Sequence, residues 1–264
     1  MTSDNPQVGV TVLGSGSSGN AIVVHTETDG FLIDAGFSAR ELKRRMREAG
    51  IDESLIRAII VSHEHGDHVR GLRVCAKQLQ VPIYANRRTA DAIRQREKDL
   101  GQVHVFASGN PFRVGECQVE PFSIPHDAND PVGFVIRWHD RKIGLATDLG
   151  HASHLVCYQL KSCDLLVVES NHDIQMLSRS ERPWSLKQRI LSRHGHLSNA
   201  ASMELLQRVL DERTKHLVLA HASQECNRYE LVEESIQTCL AGLGREDISA
   251  YVAKQDSWLP TVWV

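Results

Sequence analysis

The chain has 264 residues, 41% hydrophobic and 24% charged, with 18 glycines and 8 prolines, a composition that excludes the disordered, collagen-like and coiled-coil classes. A formal charge of -3 removes the case for a globally basic nucleic-acid binder, so any anion site must be local. Six cysteines without a C-x-x-C pair read as reduced thiols, and no stretch approaches the ~20 apolar residues of a membrane span.

In chain order, short apolar runs suited to buried strands occur at Val8–Leu13, Ala21–His25, Gly30–Ile33, Ala58–Val61, Pro82–Tyr84, Ile143–Ala146, Leu165–Val168 and Leu217–Ala220. Helical spacing covers Ala39–Ala49 before Gly50, Val69–Leu79 before Pro82, Ala200–Leu210 and Leu231–Leu240. The stretch from Val103 to Trp138 is strand-rich. No repeat or linker divides the sequence, so one domain over 1–264 is expected, built from two sheet-plus-helix halves with helices outside. The opening MTSDNPQVGVTVLGSG has no basic region ahead of an apolar run, which together with the thiols points to a cytoplasmic protein without a membrane partner.

The unusual count is 14 histidines. His63-Glu64-His65-Gly66-Asp67-His68 follows the apolar run Ala58–Val61 directly, where such polar groups are costly unless they serve a purpose. At a strand exit, His63 and His65 can face one cation while Asp67 and His68 face a second. Imidazole and carboxylate suit zinc, manganese or iron, and the lack of thiols argues against a closed structural zinc. Asp148 follows Ile143–Ala146, His221 follows Leu217–Ala220 and His126 follows Glu120–Ile124, so these are further candidate ligands at strand ends. Asp34, ending Phe31-Leu32-Ile33, is expected to orient a ligand histidine. Glu169 ends another apolar run, and His196 stands just before Ser198 and Asn199, candidate caps of the following helix. The helix dipole disfavours a charged His196 while a nearby carboxylate favours it, a balance able to tune a proton donor.

These residues, with Leu13-Gly-Ser-Gly-Ser-Ser-Gly-Asn20, His126-Asp-Ala-Asn-Asp-Pro-Val-Gly-Phe134, Glu169-Ser-Asn-His-Asp173, Pro183-Trp-Ser-Leu-Lys-Gln-Arg189 and Gly195-His-Leu-Ser-Asn199, resemble the metallo-β-lactamase superfamily and within it the YycJ/WalJ-like branch. The resemblance implies an α/β fold, an αββα four-layer sandwich with two divalent metal ions at one edge. It implies that His63, His65 and His126 hold one metal, that Asp67, His68 and His221 hold the other, and that Asp148 bridges them. It also implies Asp67, Glu169 and His196 as catalytic side chains, the last two resembling the carboxylate and histidine of ribonuclease Z. Between Asp148 and His196 there is no room for the inserted cap of the β-CASP nucleases, and no long arm of the ribonuclease Z kind is evident. Near His221 the branch usually carries a paired Asn; the residues here are Cys226-Asn227.

Two divalent ions ~3.5–4 Å apart lower the pKa of a shared water toward about 7 and stabilise an in-line displacement. A positioned proton donor favours phosphoryl chemistry, in which the leaving oxygen needs a proton. Lys187, Arg189 and Arg193 on a short helical stretch, and the segment with Arg87, Arg88, Arg94 and Arg96, are candidate phosphate contacts, with Arg189 and Arg193 expected on one face. Gly14-x-Gly16-x-x-Gly19 precedes a strand instead of a helix, so a dinucleotide site is rejected in favour of a mobile turn offering N–H groups to an anion. Glu64 is not expected to be a ligand. The expected activity is hydrolysis of DNA, as a 5′-to-3′ exonuclease on duplex ends by resemblance. The alternatives are a small-molecule hydrolase acting on a cyclic phosphodiester or thioester, and a metal-stabilised regulatory module in cell-wall signalling.

Overall fold

The computed structural model describes residues 7–264; the part of the leader reading that falls on residues 1–6 lies outside it. The first half runs β1 (Gly9–Gly14), β2 (Ala21–His25), β3 (Gly30–Ile33), α1 (Ala39–Glu48), β4 (Ile56–Ile60), α2 (Gly66–Val69), α3 (Leu72–Leu79), β5 (Ile83–Asn86), α4 (Arg87–Arg96) and β6 (Val103–Phe106). The second runs β7 (Phe112–Val114), β8 (Cys117–Ser123), β9 (Val132–Trp138), β10 (Arg141–Ala146), α5 (His154–Leu160), β11 (Leu165–Glu169), α6 (Ile174–Arg179), α7 (Trp184–Leu191), α8 (Asn199–Val209), β12 (His216–Ala220), α9 (Tyr229–Leu243), β13 (Ser249–Val252) and β14 (Val262–Trp263). Two seven-stranded sheets result, in the orders β14-β1-β2-β3-β4-β5-β6 and β13-β12-β11-β10-β9-β8-β7.

Strands alternate their side chains between two buried faces, which is why they read as unbroken apolar runs. Val10, Val12, Ile33 and Ile60 of the first sheet meet Phe134, Ile143, Leu145 and Val167 of the second in the central core. Their neighbours Leu13, Leu32, Ile59 and Val61 point outward under Leu42, Met46 and Leu72 of α1 and α3. On the other side, Leu166, Val168 and Leu219 pack beneath Val156, Leu206 and Val232 of α5, α8 and α9. The layers are helix, sheet, sheet, helix, the αββα sandwich.

β3 to β6 are parallel, as are β10 to β13. Their carboxyl ends therefore lie along common edges, the place where open α/β sheets bind ligands. Several features differ from the sequence reading, which names neither the helices α4, α5 and α6 nor the strand β13. The helix expected over Val69–Leu79 is divided, because Gly71 runs against the loop after β3, where an added Cβ would lie 1.9 Å from the Phe37 carbonyl oxygen. The chain also returns at its end to the first sheet, Val10 pairing with Val262 and Gly9 with Trp263, an interlock of the halves that a two-residue strand does not announce.

Candidate metal centre and active site

Asp34 follows β3, Ser62 to His68 follow β4, Asp148 follows β10, Glu169 ends β11 and His221 follows β12. His126 lies just beyond β8. Asp34, Asp148 and His221 all adopt left-handed backbone angles, with φ of 61°, 59° and 57°, a costly conformation for residues with a Cβ and one that clusters at functional sites. Each turns its side chain sharply out of a strand toward the same edge. Close approach completes the convergence: a Cβ on Gly36 would sit 1.7 Å from the Asp67 carbonyl oxygen, so only glycine lets the loop after β3 lie against the histidine-rich loop.

His63, His65 and His126 form one group. The Nε2 atoms of His63 and His126 lie 3.1 and 3.3 Å from His65 Nδ1. Their far nitrogens fix the tautomers. Ser62 Oγ donates to the Asp34 carboxylate at 2.8 Å and therefore accepts from His63 Nδ1 at 2.9 Å; His126 Nδ1 donates to the Gly195 carbonyl at 3.2 Å. Both Nε2 atoms then present lone pairs to one point, where a single proton on His65 can satisfy only one of them. Burial lowers the His63 and His126 pKa values and keeps those rings neutral. Three imidazoles aimed at one point is an arrangement that suits a cation.

Asp67, His68 and His221 form the second group, with Asp67 Oδ2 3.5 Å from the Nε2 of each histidine. Asp148 stands between the groups. Its Oδ2 is 3.3 Å from His68 Nε2 and its Oδ1 is 3.7 Å from His126 Nε2. Asp148 Oδ2 and His221 Nε2 are buried without a hydrogen-bond partner, and orphaned buried polar atoms of this kind require a partner. Burial alone would lower the pKa values of His68 and His221, but Asp148 and the neighbouring carboxylates overcome it, raising His68 well above its usual value and His221 to about 10. In the bare protein these rings carry protons where the field demands positive charge, and a divalent ion meets the same demand. The donor set of imidazoles and carboxylates fits such an ion, without thiols; the described cysteines are all buried and unpaired.

Asp34 and Glu169 orient these groups. Asp34 accepts His68 Nδ1–H at 2.7 Å and the Ser62 backbone N–H at 2.8 Å, turning His68 Nε2 to the site. Glu169 is fully buried. Its Oε1 accepts from both His196 Nδ1 and His221 Nδ1 at 2.8 Å, and its Oε2 accepts the backbone N–H groups of Leu149 and Leu197 at 2.9 Å. Burial by itself would raise its pKa; the two histidines hold it at about 2. The same carboxylate raises the His196 pKa against burial, leaving Nε2 for the cleft of about 170 Å³ that His196 lines.

Several expectations are revised. The glycine-rich loop after β1 is a pinned bracket: Asn20 Oδ1 accepts from Gly16 N and Ser15 Oγ, Gln255 Oε1 takes Ser18 N, and Gln255 Nε2 donates to the Gly19 carbonyl. Its polar groups serve the site from within, Ser15 Oγ accepting from His221 N at 2.9 Å and Asn20 Nδ2 lying 3.3 Å from Asp67 Oδ2. Lys187 is buried and spends its ammonium on the Ser178 and Ser180 carbonyls at 2.7 and 2.6 Å, so it is not free for phosphate. α7 stops at Leu191, which takes Arg193 off the face of Arg189; its guanidinium meets His151 at 3.2 Å. Arg189 does line the cleft, paired with Asp127, and so does Arg182, which the sequence reading missed. Glu64 turns from the cluster to hold the loop after His126, accepting from Asn129 N at 2.9 Å. At Cys226-Asn227, Asn227 exchanges hydrogen bonds with Asn199 at 2.9 and 3.0 Å. Ser62 and Gln255 gave no signal, since serine and glutamine are common loop residues.

Two stacked mixed sheets with a histidine and carboxylate cage at their strand ends define a metal-dependent hydrolase of the metallo-β-lactamase fold. The chain belongs to the beta-lactamase superfamily, whose domain model matches residues 30–222, and within it is YycJ/WalJ-like. It is 36% identical to the exodeoxyribonuclease YycJ of Bacillus anthracis, over 89% of each chain. It is 34% identical to the exodeoxyribonuclease WalJ of Streptococcus pneumoniae, over 95% of this chain and 96% of the relative. The metallo-beta-lactamase fold protein YhfI from Bacillus subtilis superposes with a TM-score of 0.73 at 14% identity, covering 97% of this chain and 99% of that one. No helix of the described residues is long and apolar enough to cross a membrane.

Proposed function

We propose that the protein is a phosphodiesterase with two divalent metal ions that degrades double-stranded DNA from 5′ ends, and that its site residues divide as follows. His63, His65 and His126 hold one ion; Asp67, His68 and His221 hold the other; Asp148 lies between them. When bound, the ions, zinc or manganese by donor type and iron by the same chemistry, supply Lewis acidity to a phosphoryl oxygen and acidify water near neutral pH.

The protein's own contribution is proton placement. His196, charged through Glu169, gives the proton on Nε2 to the departing 3′-oxygen as the P–O bond to that oxygen breaks and a P–O bond from water forms. The released nucleotide carries a 3′-hydroxyl and the remaining strand a 5′-phosphate. Glu169 is the positioning residue, since its carboxylate is held by His196, His221 and the backbone N–H groups of Leu149 and Leu197. The observation that carries the reading is this shared carboxylate, which ties the candidate proton donor to a candidate ligand through one oxygen at 2.8 Å each. The relatives named exodeoxyribonucleases support DNA as the substrate. With a net charge of -3, DNA is gripped locally, so binding weakens with salt and has little base selectivity.

The test is purified protein with manganese or zinc, offered end-labelled duplex DNA, bis(p-nitrophenyl) phosphate and a glutathione thioester. DNA is digested from its 5′ end. His196→Ala keeps both metals and loses about 10²–10⁴ in turnover, the usual worth of a proton donor, whereas His65→Ala loses metal. Equal metal loss in both variants contradicts the proton-donor role. The modest cleft favours a second reading, a small cyclic phosphodiester as substrate, which turnover of that compound with intact DNA would establish.

A further inference from the structure

We infer that the cleft beside His196 is a subsite for a terminal phosphomonoester, the 5′-phosphate of the end nucleotide, with Arg182 and Arg189 as its cationic wall. The inference rests on the phosphodiesterase reading and deepens it by assigning the end chemistry the enzyme selects. His196 lines the cleft together with Arg182, Arg189, Ser17 and Ser223. Because His196 Nδ1 is held by Glu169, the proton leaves from Nε2, and the departing fragment lies on the cleft side. At about 170 Å³, the space excludes a duplex and takes the polar part of one nucleotide.

The donors match an anion. Arg182 is braced by Glu225 at 2.6 and 2.8 Å, and Arg189 by Asp127. Each carboxylate occupies one side of its guanidinium and fixes its plane, and the remaining N–H groups form the fork that binds phosphate oxygens in pairs. The hydroxyls of Ser17 and Ser223 add neutral donors. Arg182 is only 22% exposed at its side chain, which makes it a lining group and not a solvated surface charge. When the bond to a 3′-oxygen breaks at the metals, the departing fragment is the terminal nucleotide, whose remaining charged group is its own 5′-phosphate. End chemistry and direction of digestion are then read at one place.

Two measurements on the full chain test this. In the first, thymidine 5′-monophosphate and thymidine are titrated into metal-free protein by calorimetry. In the second, manganese-loaded protein digests duplexes bearing a 5′-phosphate or a 5′-hydroxyl. The monophosphate binds and the nucleoside does not, and phosphorylated ends are digested about tenfold faster or more, the scale of a charge-assisted contact. Arg182→Gln and Arg189→Gln each weaken monophosphate binding about tenfold and bring the ratio of the two digestion rates toward one. Brisk digestion indifferent to the end phosphate and to both substitutions overturns the subsite and leaves the phosphodiesterase reading standing. Arginine-dependent monophosphate binding in a protein that hydrolyses no phosphodiester keeps the subsite and overturns that reading.

Discussion

The two sheets bring different things to their shared edge. The first contributes a single loop, His63 to His68, braced by Asp34 on the neighbouring strand exit. The second contributes His126, Asp148, Glu169, His196 and His221 from separate segments, with Glu169 holding both His196 and His221. One side is a compact cassette of candidate ligands whose bracing carboxylate contacts one imidazole directly. The other couples a candidate ligand to the proposed proton donor through one buried oxygen. The lesson is that the first side's carboxylate touches one candidate ligand alone, whereas the second side's carboxylate serves a candidate ligand and the proposed proton donor together.

Substitution of the two bracing carboxylates breaks or sharpens this contrast. The largest effect is expected for Glu169→Gln, which removes the charge that holds His196 protonated and orients His221. Turnover falls by about 10²–10⁴, and metal affinity falls as well, read by equilibrium dialysis. Asp34→Asn weakens metal binding by about 10–100-fold, the usual cost of losing a carboxylate behind a ligand imidazole, yet restores near-normal turnover at saturating metal. If both variants recover fully with added metal, the coupling assigned to Glu169 is wrong.

A smaller contrast lies in pH. His68 and His221 have raised pKa values in the bare protein, His221 to about 10, so near neutral pH a metal must displace their protons. Affinity at the Asp67, His68 and His221 position therefore rises with pH through the neutral range, by about tenfold per pH unit for each proton released. His63 and His126 have lowered pKa values and are already neutral near pH 7, so the first position shows a much shallower dependence. Two binding steps with different pH slopes are expected in titrations from pH 6 to 8. Identical slopes would remove the distinction.

The same contrast explains what the sequence makes legible. The cassette is contiguous, and doubly buried strands print themselves as apolar runs, so the strand exits and the residues beyond them stand out. Asp148 and His221 are visible because each follows such a run. The left-handed turns that aim them are not visible, because nothing in an Asp or His specifies a positive φ; the tertiary contacts impose it. Lys187 read as a phosphate contact because composition cannot reveal that two carbonyls of the α6 terminus consume its ammonium. Gln255 is the extreme case, clamping Ser18 and Gly19 across 237 and 236 positions of sequence, a separation over which no local pattern carries information.

The most direct test of the account is anomalous diffraction from crystals grown with manganese or zinc. Two peaks are expected, about 3.5–4 Å apart, one within about 2.0–2.3 Å of the facing nitrogens of His63, His65 and His126 and the other against Asp67, His68 and His221, with Asp148 reaching both. A lone peak away from these side chains, or none in protein that still degrades DNA, would contradict it.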